Sequence, residues 1–138
     1  MYIQVEKMLF LYVMKRYFAL IVVLLLAGID LSASTYMWKS IEPDFDRLNE
    51  KIEFYRNKNN MNTAELRKLV SAMYSLADST GKKPMKARAI YWDAEISGKQ
   101  NIERALALVD KAVGIVDTVA YAYDYHRLLA LKSNLLLN

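Results

Sequence analysis

Beyond residue 42 the apolar residues of this chain return every three or four positions, and four short polar breaks interrupt the pattern. Pro43 opens the first stretch, with Asp44 and Asp46 at the helix end that favours acids. Phe45, Leu48, Ile52 and Tyr55 then share one helical face. Asn57-Lys58-Asn59-Asn60 breaks it, and Asn62 with Glu65 makes a capping-box-like start for a second stretch. This one turns Leu66, Leu69, Val70, Met73, Tyr74 and Ala77 inward and ends at Ser79-Thr80-Gly81. A third, about Pro84 to Ser97, is apolar on more than one side, the mark of a helix buried between neighbours.

Gly98 closes that helix, and Asn101 opens a fourth with Ile102, Ala105, Leu106, Val109, Ala112, Val113 and Val116 inward. Asp117 or Thr118 caps a fifth, which runs through Leu128, Leu129, Leu131 and Leu135. Val119 to Tyr125 alternates like a strand, yet a lone strand would have no partner, so the helical reading is kept. The 4 glycines and 2 prolines leave few tight turns, which favours helices over a many-stranded sheet. The expected fold is all-α, with five helices in a domain over residues 35–138.

Residues 1–34 read differently. Lys15-Arg16 precedes Tyr17 to Ile29, an uncharged apolar run, and Asp30-Leu31-Ser32-Ala33-Ser34 follows, small and polar. This is the layout of a signal peptide, with cleavage expected after Ala33 or Ser34. A run of this length spans only about 20 Å as a helix, short of a bilayer core of roughly 30 Å. Residues 1–13 make an unusually long and apolar preface, and Met14 reads as the natural start. The competing reading is an uncleaved anchor in which the apolar blocks on both sides of Lys15-Arg16 enter the membrane, at a cost for the basic pair. Either way the helical body is expected outside the inner membrane. With 0 cysteines, neither disulfides nor a lipidated cysteine can hold it there.

Little chemistry is on offer. His126 is the sole histidine, and without cysteine it has no metal-ligand spacing to join. Glu42, Asp44 and Asp46 lack the glycine-turned loop of a calcium site. No phosphate-cradling glycine motif and no nucleophile elbow is present. No enzyme activity, no catalytic residue, no metal and no cofactor is expected. Both signs of charge are interspersed after residue 33, with no basic stripe of the kind nucleic-acid binding needs.

Helix pairs begin near residues 43, 84 and 119, a period of about 35–40 residues, the range of helix-turn-helix solenoids. Within this frame Asn101-Ile-Glu-Arg-Ala105-Leu-Ala-Leu-Val109-Asp-Lys-Ala112 resembles the second helix of a tetratricopeptide repeat, and Ala89, Trp92 and Ile96 match apolar positions of the first. Asp93 departs from it where the family prefers a small residue, and Asp117 where proline is common. The resemblance implies a right-handed solenoid fragment whose first helices line a concave groove. It thereby makes Tyr91, Tyr121 and Tyr125 candidate binding residues, since Tyr is enriched at binding hot spots.

A leader followed by such helices is similar to the exported sensor half of bacterial membrane-anchored regulators. This implies a protein or peptide partner and further segments beyond the final leucines Leu135, Leu136 and Leu137, whose face would otherwise favour self-association. The alternative is a small exported structural or ligand-binding protein, complete as it stands.

Overall fold

The computed structural model describes the backbone of residues 2–35, 37–58 and 62–138; within the first helix it describes the side chains of residues 4–23. The expected cleavage residues Ala33 and Ser34 therefore lie outside the described side chains, and Asn59 and Asn60 of the first polar break outside the described backbone. Helix is the only regular structure among the described residues, and the chain divides into two compact units, Met1–Met37 and Trp38–Asn138.

The first unit is one helix, α1 (Tyr2–Thr35), 34 residues long. Phe10, Tyr12, Tyr17, Phe18, Leu20 and Val23 are all exposed on it. Successive residues lie 100° apart around a helix, so these side chains clothe every face rather than one stripe. Among the described residues no helix is long and apolar enough to cross a membrane.

The second unit holds α2 (Pro43–Asn57), α3 (Thr63–Thr80), α4 (Lys83–Ser97), α5 (Ile102–Ile115) and α6 (Ala122–Leu137). Local chemistry sets most of their ends. Asn62 Oδ1 accepts the Ala64 N–H at 3.1 Å to start α3, and Asn101 Oδ1 accepts the Arg104 N–H at 2.9 Å to start α5. Pro43 and Pro84 sit in first turns, where their missing N–H costs nothing. Gly81 closes α3 at φ 68°, a left-handed conformation that favours glycine, and its N–H reaches Ala77 O at 2.9 Å. The acids around Pro43 are all accounted for by partners: Asp46 accepts from Ser40 Oγ and from the Ile41 N–H, Glu42 pairs with Lys82, and Asp44 with Arg47.

Long-range polar pairs fix the helix directions. Arg67 meets Gln100, Tyr74 meets Asp93 and Lys86 meets Asp78, so α3 and α4 are antiparallel. Glu42 meets Lys82, Asn49 meets Trp92 and Arg56 meets Glu95, so α2 runs parallel to α4. Arg88 meets Asp124, and ten residues on Gly98 abuts Leu135, so α6 also runs parallel to α4. A Cβ built on Gly98 would lie 2.7 Å from Leu135 Cδ2, which shows how closely α4 and α6 approach there. The second unit is thus α2, α4 and α6 side by side, linked through the returning helices α3 and α5.

α4 is the centre. Met85, Ala87, Arg88, Ala89, Ile90, Tyr91, Trp92 and Ala94 are all buried, in keeping with its apolar residues on more than one side. Its tightest partner is α5, whose buried edge is Ala105, Val109 and Ala112 at helical spacing. α6 starts later than its sequence suggests. Asp117 caps no helix. Its Oδ1 accepts from the Val119 and Ala120 N–H groups, its carbonyl accepts from Tyr121, and the helix starts only at Ala122. This turn absorbs the strand-like alternation after Val119. The leucine face of α6 is also partly covered: Leu128 and Leu135 are buried, while Leu129, Leu136 and Leu137 are exposed.

Candidate binding face

A non-helical segment, Trp38 to Glu42, leads into α2, and its first residues meet α4 and α6. Trp38 is its anchor. Its ring centroid lies 5.0 Å from that of Tyr123 and 5.4 Å from that of Tyr91, both edge-on, and 5.9 Å from Trp92. Edge-to-face pairing directs the positive rim of one ring at the negative face of another. Two guanidiniums complete the enclosure, Arg88 at 4.8 Å and Arg127 at 5.6 Å from the Trp38 ring. Arg127 also lies 5.4 Å from Tyr91 and 6.0 Å from Tyr123, so three rings surround one cation.

Arg88 does two things at once. Its side chain is 1% exposed, and its Nε and Nη2 donate to Asp124 Oδ2 and Oδ1 at 2.9 and 3.1 Å. Nη2 also donates to the main-chain carbonyl of Lys39 at 2.9 Å. Burial leaves the Asp124 carboxyl raised from 3.8, although the hydrogen bonds and charge of Arg88 pull it down. For Arg127, burial works against the charge, and Tyr91, Tyr123, Glu95 and Glu53 outweigh it, so its pKa is raised and it stays a cation. Trp38 Nε1, Arg88 Nη1 and the Nε and Nη2 of Arg127 are buried donors without a hydrogen-bond partner among the described residues. Four donors on one cluster give it unused capacity for carbonyl or carboxylate oxygens.

The three tyrosines expected to line a groove fall in different places. Tyr91 is 3% exposed and belongs to the core beneath Trp38, so it offers no free surface. Its phenol is pushed above the usual 10.0 by burial, then by Glu95. Tyr121 is half-buried with Lys39 Nζ 4.9 Å from its ring, again a contact with the non-helical segment. Tyr125 is half-buried beside the exposed His126, away from the Trp38 cluster's ring contacts. The cluster on the side shared by α4 and α6 is made by Trp38, Arg88, Tyr123 and Arg127. Nothing in the sequence pattern marks Trp38 and Arg127, because residues so far apart along the chain meet only through the parallel packing of α4 and α6.

A second concavity lies elsewhere, between α3, α4 and α5. It encloses about 250 Å³ and is lined by Arg67, Val70, Ser71 and Tyr74 of α3, by Asp93, Ile96 and Ser97 of α4, and by Arg104 of α5. Tyr74 Oη donates to Asp93 Oδ2 at 2.9 Å and Ser97 Oγ to Asp93 Oδ1 at 3.1 Å. Among the described residues no group of three His, Asp or Glu side chains could hold a metal ion. Models of known families, curated proteins and solved structures contain no match to this chain.

Proposed function

We propose that this chain is an interaction module of stacked helix pairs, TPR-like in construction, that binds an extended peptide segment of a partner protein on the α4–α6 face. The observation that carries this reading is the docking of Trp38 and Lys39. There the face already grips a non-helical segment, holding a main-chain carbonyl with Arg88 and an aromatic side chain with Tyr91, Tyr123 and Arg127. Main-chain hydrogen bonding plus an aromatic anchor is the general way a protein holds an unfolded segment, the anchor supplying most of the energy. α1 is read as the leader or membrane anchor that puts the module on the outer side, since a helix apolar on every face is unstable in water alone. The arrangement suits the sensor portion of a longer regulator.

The peptide reading is tested with residues 36–42 as a free synthetic peptide. In the native chain the tethered copy outcompetes it, because a short tether gives a millimolar effective concentration. The peptide should therefore bind full-length Trp38→Ala saturably and native chain poorly. A folded Trp38→Ala protein that ignores the peptide rules the face out as a peptide site. Export is tested separately: a reporter fused after Lys39 should leave the cytoplasm, with a mature N-terminus near Ser34 or Thr35. A membrane-embedded chain that still begins at Met1 would replace the cleaved leader with an anchor.

A further inference from the structure

We propose that the concavity between α3, α4 and α5 is a binding site for a small oxyanion, independent of the Trp38 face. Helical phase separates the two: Arg88, Tyr91 and Glu95 lie along one side of α4, while Asp93, Ile96 and Ser97 lie on another. At about 250 Å³ the space falls just below the usual range of ligand pockets, roughly 300–1,000 Å³, so its occupant is small.

The charges decide the chemistry. Two guanidiniums, Arg67 and Arg104, stand against one carboxylate, Asp93, leaving the lining net positive. Asp93 is already engaged, with Tyr74 Oη on one oxygen and Ser97 Oγ on the other. Burial and the charge of Asp93 raise the Tyr74 phenol well above 10.0, so it remains a donor locked onto that carboxylate. Arg104 Nη2 lies 3.6 Å from Asp93 Oδ1, a loose, half-exposed ion pair too long for a hydrogen bond, so its N–H donors stay free for a ligand. Arg67 is held by Gln100, whose Oε1 accepts from Nη2 at 2.8 Å; this neutral amide orients the guanidinium without neutralising it. Among the described residues Arg67 has no carboxylate partner within ion-pair distance.

A planar fork of N–H donors on each side matches a carboxylate or phosphate, which two such forks can clamp. The Ser71 hydroxyl adds a third donor, and Val70 and Ile96 supply an apolar floor for a short carbon skeleton. The class is a small organic acid or phosphate.

Full-length protein in detergent is titrated with succinate and, separately, with inorganic phosphate, against sodium chloride of matched ionic strength, reading backbone amide shifts. The expected result is saturation by at least one of the two, centred on Ser71, Ser97 and Arg104. Succinate alone identifies a carboxylate site, phosphate alone a phosphate site. Arg67→Gln and Arg104→Gln, both at solvent-facing positions that should not disturb folding, should each weaken binding by about ten- to a hundredfold. Trp38→Ala should leave it unchanged, so a failure of the peptide reading does not touch this one. The proposal is overturned if neither anion saturates at millimolar concentration. It is also overturned if chloride gives the same shifts, or if both arginine variants bind as the native chain does.

Discussion

Arg88 of α4 and Asp124 of α6 form a two-hydrogen-bond ion pair whose side chains are 1% and 3% exposed, 36 residues apart in the chain. A charge buried this deeply depends on its partner. Asp124→Asn should cost about 3–5 kcal/mol, because it strands the Arg88 guanidinium. Arg88→Met with Asp124→Leu should cost much less than the sum of the single changes. Urea melts of the two single variants and the double variant give the coupling directly. Additive costs would show that the pair does not act as a unit.

The Trp92 indole donates from Nε1 to Asn49 Oδ1 at 2.7 Å, and both residues are buried. Trp92→Phe keeps most of the ring volume and strands the Asn49 carbonyl oxygen, at an expected cost of about 1–3 kcal/mol. Trp92→Ala also opens a cavity and should cost about 3–5 kcal/mol. Equal losses in the two variants would mean that the hydrogen bond, rather than packing, dominates.

Ala105 is 0% exposed on the side of α5 that packs into the core, whereas Ala107 faces solvent. Leucine at 105 should overpack the α4–α5 contact and cost about 1–3 kcal/mol. Leucine at 107 should be near neutral. Thermal melts of the pair distinguish a close helix–helix contact from a general intolerance of size on α5.

Tyr74 and Tyr91 have phenols raised above 10.0, in each case first by burial and then by a carboxylate, Asp93 and Glu95 respectively. The folded chain holds these protons more tightly than the unfolded one. The resulting stability is complete below the ordinary phenol value and is lost as pH rises beyond it. Unfolding by urea should therefore become easier above pH about 10. Absorbance titration should show these two phenols ionising only as helical circular dichroism collapses. Tyr74→Phe should flatten part of the alkaline slope; a folded chain that titrates all its phenols normally would contradict the burial.

Asp117 behaves oppositely. The Ala120 and Val119 N–H groups hold its carboxyl below 3.8. A depressed folded value contributes stability above the ordinary carboxyl range, lost as pH falls through the depressed one. Asp117→Asn keeps an oxygen for both N–H groups and should preserve the turn. Asp117→Ala should release it, seen as faster exchange of the Val119 and Ala120 amides. Equal exchange in both variants would remove Asp117 from the turn's support.

Local signals carried the helical reading well. Asn62, Asn101, Pro43, Pro84 and Gly81 act on neighbours within a few residues, so their effect is written in the sequence beside them. Asp117 shows the limit, since one side chain can cap a helix or close a turn, and the same local pattern fits both. The Trp38 cluster was less legible. Tyr91 was marked by being aromatic on the correct helix, yet it is Trp38, in an unremarkable segment before Pro43, that covers it. Asp93 departed from the repeat pattern, and the structure supplies a reason: it accepts from Tyr74 and Ser97 at once. Pairs such as Arg88–Asp124 leave no periodic trace, because a charged residue on a buried face looks like an error until its partner is found.

The central place of α4 has a consequence for how this body comes apart. In a long array of repeats each unit touches only its neighbours, so melting can begin at an end and advance one unit at a time; with so few helix pairs, the central one touches all the others. Here a single helix meets α2 at Trp92, α3 at Asp93 and α6 at Arg88, and packs along α5 as well. Peeling α6 away exposes the Arg88 charge, and peeling α2 away strands the Trp92 indole, so loss at either margin weakens the same element. The body is built to open all at once or stay shut, and a protease sampling its loops would find few half-open forms to cut.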